Sequence, residues 1–162
     1  MTSQRPSWVN ASAPTRGYGG STSLSTRGTP GAVVYLKFVL PAAPVGHTLS
    51  SVVLTVRTMS TAGSGTARAQ SVRITSDNWY ESSPTWNSRP SAAGTQVGAV
   101  ASAPSLNTAY RISLVASTTL ASRTSTGHIN LALVASGNDL WTIASTQNAA
   151  SGVQPTLTLT YR

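Results

Sequence analysis

The sequence predicts an all-β protein, an antiparallel β-sandwich of the jelly-roll kind, from three observations. First, 25 Ser and 23 Thr, 48 of 162 residues, suit strands with one face in water. Second, thirteen Gly and nine Pro fall at short intervals, as turns between many short strands require. Third, the apolar residues alternate, with no long helical period between the alternating runs.

In chain order, residues 1–20 are rich in Ser, Gly, Pro and Ala and hold only a brief apolar pair, Trp8-Val9. Residues 1–16 are therefore expected as an N-terminal arm, with one sandwich domain over 17–162. The first clear strand is 33–40, where Val34, Leu36, Phe38 and Leu40 share a face. Pro41 and Pro44 end it. The run 51–57 alternates again, with Val52, Leu54 and Val56 facing the core, and Gly63-Ser64-Gly65 forms a loop tip. Further strands are expected at 70–75, 95–100, 109–114, 129–135, 140–145 and 156–161. The last is the cleanest, with Leu157, Leu159 and Tyr161 alternating with Thr156, Thr158 and Thr160. One short helix is expected near residues 117–123. A chain this long buries about 70% of its unfolded surface as one domain.

The net charge is +8, from ten Arg and one Lys against three acids. The Arg residues stand singly along the chain, whereas nucleic-acid binders gather theirs into runs or stripes. Scattered charge favours an acidic surface or anionic polymer as partner over nucleic acid. The chain has no Cys, so disulfides and thiolate metal sites are excluded. No apolar run approaches the ~20 residues of a membrane-spanning helix. The first residues lack the apolar stretch of a secretory signal, so arrival without one, as in a virion protein, is one expectation.

The segment Asp77-Asn78-Trp79-Tyr80-Glu81-Ser82-Ser83-Pro84-Thr85-Trp86-Asn87-Ser88-Arg89-Pro90 holds two of the three acids and two of the four Trp. Its spacing W-x-E-x-x-x-T-W-N-x-x-P resembles the signature of the DNRLRE domains, β-sandwich modules also described as carbohydrate-binding. Tyr18-Gly19-Gly20-Ser21, Tyr35-Leu36-Lys37-Phe38, the run from Thr48 to Leu54 and the closing Pro155-to-Tyr161 strand are similar to other parts of that family, so the resemblance spans residues 7–162. It implies a module of secreted bacterial proteins or of phage virions. In the motif, Trp79, Glu81, Thr85, Trp86, Asn87 and Pro90 are expected to hold a structured loop.

Catalytic chemistry is poorly supplied. Glycoside hydrolysis usually needs a carboxylate pair, and Asp77, Glu81 and Asp139 are the only acids. Asp77 and Glu81 read better as loop hydrogen-bonding groups. No G-x-S-x-G elbow accompanies His47 or His128, which sit in turn contexts. The resembled family tends to carry acids where this chain has Ser7-Trp8-Val9, Phe38-Val39-Leu40 and Ala144-Ser145-Thr146-Gln147, so no calcium site or other cofactor is expected. Sugar recognition commonly lays a ring on a pyranose, with Arg and amides bonding its hydroxyls, and each ring contributes about 2.5 kcal/mol before ordering costs. Tyr80, Trp141 and Tyr18, with Arg89, are the residues expected to be placed for this. The expected function is non-catalytic recognition of a polysaccharide or cell-surface glycan, outside the cell or on a virion surface. The alternative is a virion structural protein held to its neighbours through the N-terminal arm.

Overall fold

The computed structural model describes residues 1–4, 6–76, 79, 84–116 and 118–162. Among these residues, ten strands and one helix follow in order: β1 (Ser7–Asn10), β2 (Ser23–Thr26), β3 (Ala32–Val39), β4 (Leu49–Arg57), β5 (Gln70–Ile74), β6 (Gln96–Val100), β7 (Ala109–Leu114), α1 (Thr118–Ser125), β8 (His128–Ala135), β9 (Trp141–Ala144) and β10 (Thr156–Tyr161). Every strand pairing is antiparallel. The expected β-sandwich is the fold observed.

One layer is a five-stranded sheet in the order β1-β3-β8-β5-β6. The other joins a three-stranded sheet, β10-β4-β7, to a two-stranded ribbon, β2-β9. A bridge between Thr58 and Ile143 ties the ribbon to the end of β4. Alternation sets what lies between the layers. From β3, Val34, Leu36 and Phe38 point inward and meet Leu131 and Leu133 of β8, Val72 of β5, and Val52, Leu54 and Val56 of β4. All of these are buried, and Leu120 of α1 packs on the same core. Removing one such Leu side chain costs about 2–5 kcal/mol, because the cavity it leaves collapses only in part.

Within residues 1–16, the stretch expected as an N-terminal arm, several described residues pair with the sandwich. Ser7–Asn10 pair with β3, Ser7 opposite Tyr35 and Asn10 opposite Ala32. Ahead of them, Thr2 bridges to Thr156, and Ser3 N–H donates to Pro155 O at 2.8 Å. Backbone pairing, which needs no apolar side chain, incorporates a segment that composition alone marks as loose.

The outer face of the five-stranded sheet carries a second, smaller apolar cluster: Val9, Val33, Tyr35, Ala132 and Trp79, joined by Trp86, Ala92 and Val134. The polypeptide on either side of Trp86 therefore lies over this face as a cover. That cover positions the candidate site.

Candidate functional site

The cover is held by bonds that its sequence supplies. Thr85 and Ser88 close a tight turn: Ser88 Oγ accepts from Thr85 N–H at 3.1 Å, and Ser88 N–H donates to Thr85 Oγ1 at 3.3 Å. Asn87 N–H donates to Pro14 O at 3.1 Å, fastening the turn to the chain after β1. Trp86 lies across Gly31, where a Cβ would come within 2.3 Å of Trp86 Cη2, so only glycine leaves room for the ring. Beneath, Tyr35 OH donates to Pro90 O at 2.7 Å, and its ring meets Trp79 at 5.8 Å between centroids. Burial pushes the Tyr35 hydroxyl up to about 12, against a smaller downward pull from the Arg89 charge. Thr75 Oγ1 donates to Ser91 O at 2.9 Å and pins the far side.

Between this cover and the sheet lies an open cleft of about 710 Å³. Val33, Val134 and Ala92 give it an apolar floor, and Trp86, Arg89 and Arg73 provide its chemistry. The Arg89 guanidinium stacks on the Trp86 indole, with Cζ 3.6 Å from the ring centroid, and Nη1 donates to Trp86 O. Arg73 is braced by bonds from Nε to Ser71 Oγ (3.3 Å), Nη1 to Gly94 O (3.2 Å) and Nη2 to Gln96 Oε1 (3.4 Å). Two guanidinium groups are thus held at one cleft, and no carboxylate lies among its described lining residues.

Of the four residues expected to contact sugar, Arg89 alone lines this cleft among the described residues. Trp141 requires a correction: it is 1% exposed, deep in the core rather than at a loop rim. Its Nε1–H donates to Thr58 Oγ1 at 2.9 Å, and Tyr110 meets its ring edge-on at 6.3 Å, so no face is open to a ligand. Tyr18 is half-buried at the β1 side of the molecule, outside the cleft. Trp8 covers one side of its ring at 4.2 Å between centroids, and the Arg16 guanidinium lies 5.0 Å from its centroid. Tyr80 and Glu81 lie outside the described residues, as does Asp77. Of the remaining motif residues, Thr85, Trp86, Asn87 and Pro90 build the cover, and Trp79 is buried beneath it.

Sequence reasoning missed Arg73, Ser71 and Gln96. A usable signal existed: in β5 the alternating partners Val72 and Ile74 are core-facing, which places Ser71 and Arg73 on the outer face. The one described acid, Asp139, is committed to structure. Its Oδ2 accepts from Thr66 Oγ1 at 2.6 Å and from Ala67 N–H at 2.9 Å. The Thr66 bond, aided by Ala67, holds the carboxyl below its ordinary range, and partial desolvation opposes this. Among the described residues, no group of three His, Cys, Asp or Glu side chains could hold a metal ion.

A cleft with an apolar floor and fixed polar donors, on a β-sandwich of this size, defines a ligand-recognition module. Residues 1–161 match the model of carbohydrate-binding module family 96. The chain belongs to that family, and it is a carbohydrate-binding module. A comparison with curated proteins yields no significant match.

Proposed function

We propose that the chain binds polysaccharide in the cleft between the 84–93 cover and the outer face of the five-stranded sheet, without catalysing a reaction, and that it prefers acidic sugars. The observation that carries this reading is the pair of braced guanidinium groups, Arg73 and Arg89, over an apolar floor. A planar guanidinium matches a carboxylate or sulfate with two parallel bonds, and such charge-assisted bonds are about twice as strong as neutral ones. The floor of Val33, Val134 and Ala92 suits the C–H face of a sugar ring. Trp86 is capped by Arg89, so recognition here rests on the Arg forks rather than on an open indole face. The whole-chain family match favours glycan recognition over the virion-component reading. A polysaccharide partner also suits action outside the cell.

Affinity electrophoresis through gels containing polygalacturonate, alginate, xylan or hydroxyethylcellulose tests this. The acidic polymers should retard the wild-type protein at physiological salt. Arg73→Ala and Arg89→Ala should each weaken retardation about tenfold, the loss of one charge-assisted bond of roughly 1.5 kcal/mol. Retardation that both variants retain in full would refute the proposed site.

A further inference from the structure

The cleft does not end at Arg73. A second cleft, of about 300 Å³, shares Arg73 and Val134 with it and runs past Ser71 to Ser136. A third, of about 370 Å³, shares Ser136 and is walled by Arg68, Asn138 and Asp139. The three follow β5 and β8 along one face, and the chain from Arg73 to Arg68 spans at most about 17 Å of extended backbone. The far end is built. The Arg68 stem lies against Gly137, where a Cβ would come within 2.3 Å of Arg68 Cγ. Gly28 N–H donates to Gly137 O at 2.7 Å, and Arg27 Nε donates to Asn138 O at 3.1 Å, which fixes the 136–139 turn. Asp139 is fixed in this wall, its Oδ2 accepting from Thr66 Oγ1 and Ala67 N–H and its Oδ1 shut off from water.

We infer that the Arg68–Asp139 cleft is a further glycan subsite, continuous with the Arg73–Arg89 cleft, so that the module takes an internal stretch of polysaccharide and holds a further unit of it beside Arg68 at the far end. This rests on the proposed cleft as the glycan site and extends it. The two ends differ in chemistry. Arg73 and Arg89 meet acidic groups as a pair, whereas the single guanidinium of Arg68 stands near the Asp139 carboxylate, which offsets part of its charge, so the far end holds an acidic unit less strongly. A ligand reaching both ends has to pass Ser136, which is exposed and bonds through its backbone N–H to Ala69 O at 3.0 Å.

Titration calorimetry with uronate disaccharides and octasaccharides, prepared from alginate and from polygalacturonate, tests the inference on the intact chain. The wild type should bind an octasaccharide at least tenfold more tightly than the matching disaccharide. Ser136→Tyr, which obstructs the passage, should bring the octasaccharide to the disaccharide affinity and leave disaccharide binding unchanged. Arg68→Ala, which alters only the far end, should also weaken the octasaccharide alone. Thermal melting of both variants confirms that they fold. Equal wild-type affinity for the two lengths, or octasaccharide binding that both variants retain, would overturn the subsite and leave the Arg73–Arg89 cleft standing. A wild type that binds neither length would overturn the cleft and the subsite together.

Discussion

Tyr35→Phe separates the mechanical role of the cover from its chemistry. The substitution deletes one hydroxyl, the donor to Pro90 O at 2.7 Å, and leaves the buried ring against Trp79. A hydrogen bond of this kind contributes about 1 kcal/mol net, and a Pro90 carbonyl left without its donor pushes the loss toward 2 kcal/mol. The variant should therefore be about 1–2 kcal/mol less stable than wild type at neutral pH. The sign changes in alkali. The folded-state hydroxyl is raised from 10.0 to about 12, so its contribution is complete below the unfolded pKa and is lost as pH rises through the folded one. Across that window the wild type loses up to roughly 2 kcal/mol that a phenylalanine has no means to lose. The stability gap should close near pH ~11 and then vanish or invert. Urea unfolding followed by tryptophan fluorescence, at pH 7 and at steps from pH 9 to 12, measures it. Binding of acidic polysaccharide at neutral pH should weaken as well, because Pro90 and Arg89 belong to one cover. A constant gap between the two proteins from pH 7 to 12 would refute the buried, donor-bonded Tyr35 on which the reasoning depends.

Other substitutions probe separate parts of the structure. Gly31→Ala places a methyl group against Trp86, so differential scanning calorimetry should show a loss of about 1–3 kcal/mol as the ring is forced to move. Trp141→Ala removes a core side chain and should cost about 3–5 kcal/mol in chemical denaturation, far more than loss of a ring exposed at a rim. Asp139 contributes stability that is present above the unfolded carboxyl pKa and lost as pH falls through its lowered folded value. Asp139→Asn should therefore flatten the acid limb of the melting-temperature profile.

Strands with apolar alternation were legible from the sequence. In β3, β4 and β10 every second residue faces a core that local sequence already marks, and the short helix falls where expected. β1 and β2 were not legible, because their buried positions are largely polar. Ser7, Ser25 and Thr26 are all buried; Thr26 Oγ1 donates to Gln70 Oε1 at 2.7 Å, and Ser25 Oγ lies 3.1 Å from Thr142 Oγ1. For Ser25 and Thr26 the burial is satisfied by partners far away in the chain, which no local pattern announces. Trp141 was misjudged for the same reason. The Gly137-Asn138-Asp139 turn before it reads as a loop rim, and only Thr58, 83 residues distant, shows where the indole goes. Arg89 stood out in the motif, but its partners in the cleft come from β3, β5 and β8, so the site exists only once the sheet has formed.

Chemical-shift mapping of the uniformly ¹⁵N-labelled protein, titrated with an oligouronate, tests the central claim most directly. The account predicts saturable shifts concentrated at Ser71, Arg73, Arg89, Ala92, Gln96 and Val134, together with Arg89 and Arg73 guanidinium signals. Shifts gathered instead around Tyr18 or on the exposed face of the three-stranded sheet, or no saturable shift at all, would contradict it.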